Sequence, residues 1–167
     1  MYCTFGFTTL AVTAESLYFC DPHPAPGQEG PERGVRVELR LVEPQEHRGT
    51  IYASQRYVLD QAVFRADFLE SVERGPGSRD RMHFHPAMRD NEPRSRVFDR
   101  ALTEDPMGWL SGRLADAVRL LRDAGVADAE RHEEAARQLR AELPLVVGTI
   151  STLLTKVRNG ELARQPA

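Results

Sequence analysis

Apolar and polar positions follow two different periods along this chain. In the first half they alternate every second residue, and in the second half they recur every three to four. The clearest strand is Val35-Arg36-Val37-Glu38-Leu39-Arg40-Leu41, apolar and charged in strict alternation, with one face for a core and one for solvent. Tyr2 to Phe19 is rich in Thr, Phe, Val and Tyr and also reads as strand, with Gly6 a bulge or a turn that splits it. Thr50 to Leu59 predicts a further strand with Ile51 and Ala53 inward, Tyr57 and Leu59 as further candidates for that face, and Asp60-Gln61 a turn. From Ala62 onward Val63, Arg65, Asp67 and Leu69 share one face, and Phe64, Ala66 and Phe68 the other. The end of that segment, towards Glu73, fits a strand or a helical turn. Arg79 to His85 predicts another strand.

Between these elements lie two irregular stretches. Residues 21–34 carry Pro22, Pro24, Pro26, Pro31, Gly27, Gly30 and Gly34 and predict a long loop. Residues 86–103 are polar and non-periodic. Asp105-Pro106 then predicts a helix start, Asp as cap and Pro in the first turn. Leu110, Leu114, Ala117, Val118 and Leu121 continue the stripe to Gly125. Asp128 is expected to cap a second helix, Pro144 to break or kink it, and Val146, Ile150, Leu153, Leu154 and Val157 to line a third segment ending near Asn159-Gly160. Strands followed by helices predict an α+β fold: an antiparallel sheet of about five or six strands in the N-terminal part, packed against C-terminal α-helices. The expected organisation is one domain over 1–167, β-rich over 1–86 and helical over 105–160, with 161–167 a flexible tail.

Composition narrows the function classes. A charged fraction of 28% and a net charge of -3 suit an ordinary globular chain, without the basic field that drives non-specific nucleic-acid binding. Nucleic acid is therefore disfavoured as a partner, although Arg clusters at 79–81 and 94–100 leave local exceptions. Lys156 is the only lysine, an arginine bias that suggests a bacterial, high-GC origin. No apolar run approaches the ~20 residues of a membrane span, and the N-terminal residues do not read as a signal peptide, so a cytoplasmic location without a membrane partner is expected. Cys3 and Cys20 lack metal or redox spacing and are expected to be buried free thiols.

The chemistry centres on Arg81-Met82-His83-Phe84-His85-Pro86. On a strand His83 and His85 point the same way, so both imidazoles can reach one divalent metal ion, a proton-transfer pair or an anion. Gly77, His83, His85 and Asp90 are spaced Gly-x5-His-x-His-x4-Asp. Over about fourteen residues this resembles the first signature of cupins, where a Gly, two His and an acid recur. The resemblance implies a metal on His83 and His85, with Asp90 as the acid. The chain departs from it in carrying Asp where cupins usually have Glu, in lacking the following Gly and a second signature, and in turning helical where a barrel needs strands. A cupin barrel is not expected.

If the strand at 62–69 neighbours the histidine strand, Arg65, Asp67, Arg81, His83 and His85 form one polar patch. Asp67 then orients a histidine tautomer and joins His83 and His85 as the candidate catalytic group. Arg65, Arg81, Glu92 and Arg94 are candidate contacts to a small-molecule or anionic ligand. Their plainer reading is solvated salt bridges and a polar connection. His132-Glu133 lacks a second His at the zinc-peptidase spacing, since residue 136 is Ala. Two functions stay open: a His-based ligand or metal site, extending to a small metal-assisted enzyme, and a non-catalytic interaction or assembly module that self-associates through residues 145–157.

Overall fold

The computed structural model describes residues 1–24, 26–46, 49 and 56–164. Residues 50–55 of the strand predicted at 50–59 and the last three residues of the expected tail lie outside the described residues, and Tyr57 and Leu59, candidates for the inward face, are exposed. A five-stranded antiparallel sheet in sequential order is formed by β1 (Tyr2–Gly6), β2 (Leu10–Phe19), β3 (Glu32–Pro44), β4 (Tyr57–Ser71) and β5 (His83–His85). A small hairpin of β6 (Met88–Arg89) and β7 (Glu92–Pro93) follows. Then come α1 (Arg100–Glu104), α2 (Pro106–Ala115), α3 (Ala117–Asp123), a 3-10 turn (Ala129–His132) and α4 (Glu133–Arg158). The α+β arrangement expected from the two periods is observed.

Parity sorts the sheet into two faces. Val12, Ala14, Val35, Val37, Leu39, Phe64, Ala66, Phe68 and Phe84 are buried in the hydrophobic core together with Leu139, Val146, Ile150 and Leu153 of α4. Fully burying side chains of this size is worth roughly 1.5–3 kcal/mol each, which makes this face the main source of stability. The opposite face carries Thr13 and Glu15, Glu32, Arg36, Glu38 and Arg40, Arg65 and Asp67, and His83 and His85. Register aligns them in two rows across the strands: Glu15–Arg36–Asp67–His83 and Thr13–Glu38–Arg65–His85. Gly34 lets β3 and β4 approach closely, because a Cβ there would stand 2.0 Å from the Phe68 carbonyl oxygen.

Several local expectations are corrected. Asp60-Gln61 is not a turn; β4 runs straight through it, with register shifts opposite Arg40 and Val42. Arg40 Nε donates to the Asp60 carbonyl at 3.0 Å, so the irregular backbone is bonded where the ladder slips. β3 begins at Glu32, earlier than expected, and β5 is only three residues because Arg79 has φ +53 and Asp80–Arg81 form a turn. The helix begun at Asp105, whose carboxylate accepts from Gly108 N–H, divides at Asp116 into α2 and α3. Asp128 has φ +51 and caps nothing with its side chain. Pro144 does not break α4, which continues unbroken from Glu133 to Arg158. Its missing N–H costs one helical bond, and the buried stripe on either side, Leu139, Leu143, Val146 and Ile150, outweighs that loss. The cysteines are free, but Cys20 is exposed at the end of β2 and Cys3 half-buried. Among the described residues no helix is long and apolar enough to cross a membrane.

Candidate metal centre

β4 and β5 bring Asp67, His83 and His85 together because the register sets Asp67 opposite His83 and Arg65 opposite His85. All three are buried, at 2%, 4% and 5% exposure. One ligand atom from each lies within 4.8 Å of the other two, so the group is able to hold a metal ion.

The orientation of the imidazoles follows from their neighbours. His83 Nδ1 lies 2.8 Å from the Arg81 carbonyl oxygen, and His85 Nδ1 lies 2.8 Å from that of Ser95. A carbonyl oxygen only accepts, so each Nδ1 carries the hydrogen. Each Nε2 of a neutral ring is then a lone pair, and both face the same carboxylate oxygen: Asp67 Oδ2 is 3.3 Å from His83 Nε2 and 3.6 Å from His85 Nε2. These spacings exceed the roughly 2.7–2.9 Å of a charge-assisted N–H···O bond. The shorter matches the edge, about 3.3–3.4 Å, of a tetrahedron around an ion with ligands at ~2.0–2.1 Å, and the longer exceeds it slightly.

The other Asp67 oxygen accepts from Arg36 Nε at 2.7 Å. Burial works against ionisation of Asp67. Where the two Nε2 atoms carry protons, their hydrogen bonds to the carboxylate, together with the Arg36 guanidinium, outweigh it and hold the carboxyl well below the usual carboxylate range. Nearby on the same face burial pushes the Glu32 carboxyl up, against the pull of Arg81.

The chain after β5 folds back to fix the site. Phe84 and Val97 exchange backbone hydrogen bonds, which puts the Ser95 carbonyl beside His85 and the Phe98 ring 5.6 Å from that of His83. Asp99 anchors this return: one carboxylate oxygen caps α1 at Ala101 N–H and the other accepts from Trp109 Nε1 at 2.9 Å. The proline-rich loop is tied across the same edge by Arg81 to the Gly27 carbonyl and by Arg96 to Gln28 Oε1, each at 2.8 Å.

The remaining candidates stand elsewhere. Asp90, expected as the third ligand, is at the tip of the β6–β7 hairpin, its side chain 89% exposed and 3.7 Å from Arg89. Asp90 and Asn91 have φ +52 and +63, the left-handed pair that a two-residue hairpin turn demands. Asn91 Oδ1 in turn accepts from Ala62 N–H and Arg40. Glu92 is exposed opposite Arg89 on that hairpin, and Arg94 lines a separate cavity of about 650 Å³ with Arg131 and His132. Arg65 is bonded to Glu38. Arg81 is buried with its Nε unpartnered, 3.5 Å from Glu32 and 3.6 Å from Asp80, and it reaches the site only through its carbonyl. Arg36, Glu32 and Phe98 were not singled out from the sequence. The polar parity of β3 carried the signal for the first.

Comparison with protein-family models, curated proteins and solved structures found no match for this chain.

Proposed function

We propose that this protein binds one divalent transition-metal ion through Asp67 Oδ2, His83 Nε2 and His85 Nε2 and uses it as a small metal-assisted enzyme. The observation that carries the reading is the convergence of two lone-pair nitrogens on one carboxylate oxygen at 3.3 and 3.6 Å. Buried lone pairs facing a carboxylate repel, and an electrophile among them removes the repulsion. Two imidazoles and a carboxylate suit Zn(II) or Fe(II), and three protein ligands leave room in the coordination sphere for water or substrate. Such an ion acidifies bound water and polarises a carbonyl or phosphoryl oxygen. Arg36, by fixing Asp67, sets the position of the carboxylate ligand.

A metal-free reading, with protons on both rings and Asp67 neutralising them, is chemically distinct and leaves several charges in a buried site. The assembly-module reading keeps little apolar surface over 145–157, because Val146, Ile150, Leu153, Leu154 and Val157 are buried in the chain's own core and Leu145 is exposed.

Equilibrium dialysis of purified protein against Zn(II), Co(II) and Fe(II), read by elemental analysis, tests the proposal. One ion per chain is expected for at least one metal, with affinity lowered at least about 100-fold in His83→Ala, His85→Ala and Asp67→Asn. No stoichiometric binding, or binding that these changes leave intact, overturns it.

A further inference from the structure

The two edges of the five-stranded sheet are finished differently. At β5 the outward N–H and C=O of Phe84 are both bonded to Val97, at 3.0 and 2.9 Å, so the returning chain closes that edge. β1 is the other edge, and among the described residues no strand pairs with its outer side. Hydrogen bonds from Ser16 N–H to the Met1 carbonyl and from Phe7 N–H to the Leu10 carbonyl fix which residues bond β2. Bonded and non-bonded pairs alternate along an antiparallel ladder, so Cys3 and Phe5 also bond β2. The N–H and C=O groups of Tyr2, Thr4 and Gly6 therefore point away from the sheet.

None of the usual protections of an open edge is present. Tyr2-Cys3-Thr4-Phe5-Gly6 has no charge, no proline and no bulge in its register with β2. The core-facing side is unfinished as well. The helices lie over β2, β3 and β4, and Cys3 and Phe5 stay half-buried at the rim of the core.

We propose that β1 is a dimerisation edge, pairing antiparallel with β1 of a second copy of this chain about a two-fold axis at Thr4. The strand is complementary to itself in that register. Thr4 meets Thr4 of the second copy, and each donates its outward N–H to the other's carbonyl. Tyr2 stands opposite Gly6 of the second copy, where its ring covers a residue without a side chain, and the axis repeats that pair. On the core side Cys3 meets Phe5 of the second copy, which carries the apolar layer across the axis. Because the β5 edge is closed, the sheet offers β1 no partner edge except another β1. The contact is thus isologous and stops at two chains instead of running on as a filament. It uses none of residues 145–157. It also stands whether or not an ion binds, since Asp67, His83 and His85 are on β4 and β5, at the far side of the sheet.

Sedimentation equilibrium from about 1 to 200 μM protein tests the pairing, a range in which so small an interface dissociates. Wild type is expected to pass from monomer to dimer and no further. Thr4→Pro removes an outward N–H without touching the β1–β2 ladder, and is expected to weaken dimerisation at least about 10-fold with far-UV circular dichroism unchanged. Thr4→Lys and Thr4→Glu each set like charges opposite one another. Each alone is expected to be monomeric, and the two mixed to form a one-to-one dimer, a rescue that misfolding does not give. A wild type that stays monomeric throughout, a dimer that all three variants leave intact, a mixture as monomeric as its components, or assemblies larger than two chains would overturn the proposal.

Discussion

The two faces of one five-stranded sheet are built from the same strands and the same alternation, yet they do opposite work. On one, Val12, Val37, Leu39, Phe64 and Phe68 share a continuous apolar core, with β2 and β3 against α4, β4 against α3 and Phe64 beside Trp109 of α2. On the other, Glu15–Arg36–Asp67–His83 and Thr13–Glu38–Arg65–His85 run across the strands as polar rows in which acids and arginines are neighbours, several members buried. Non-directional burial makes the apolar face tolerant of which neighbours touch. The polar face has no such tolerance. Every buried charge there depends on a partner at the right register, and a one-residue slip would carry Asp67 away from both histidines.

The sharpest way to break this comparison is to damage each face separately. Phe68→Ala should cost about 3–5 kcal/mol of stability by leaving a cavity in that core. Where the variant still folds, its metal affinity should stay within a few-fold of wild type, as denaturant titration and dialysis on the same sample would read. A large loss of affinity in folded protein would join the two faces into one unit. Arg36→Leu attacks the other face. Metal affinity should fall about 10- to 100-fold, since the residue orients a ligand without being one. Its overall fold should be retained, and an unchanged affinity would mean that Asp67 needs no such support.

A smaller effect concerns acid. The Asp67 carboxyl is held below its ordinary value near 3.9. Its contribution to folding is therefore complete above that pH and drains away as pH falls through the lower native value. Metal-free wild type should lose urea stability on going from about pH 5 to pH 3, and Asp67→Asn should lose less over that interval. Parallel curves would remove Asp67 from the acid response.

The parity of β4 and β5 was legible in the sequence. It put Asp67, Arg65, His83 and His85 on one face once the strands were neighbours, and the structure has that register. What could not be read were choices made by distant partners. Asp-Gln at 60–61 resembles a turn locally, but long pairing with β3 keeps it in a strand. Pro144 signals a break locally, and burial on both sides overrides it. Asp90 sat at a cupin-like interval, but its backbone is spent on a hairpin turn. The anchoring of both imidazoles by the Arg81 and Ser95 carbonyls has no residue-type signature, because a carbonyl is available anywhere. It also moves Asp67 from orienting a tautomer to facing the free nitrogens.

The central claim is that an ion, and not a proton, belongs among Asp67, His83 and His85. An anomalous difference map at the zinc edge, from crystals of zinc-reconstituted protein, tests it most directly. The account predicts one strong peak about 2.0–2.2 Å from Asp67 Oδ2, His83 Nε2 and His85 Nε2. A map without that peak, with a histidine Nε2 drawn to roughly 2.7–2.9 Å from the carboxylate in a direct hydrogen bond, would contradict it.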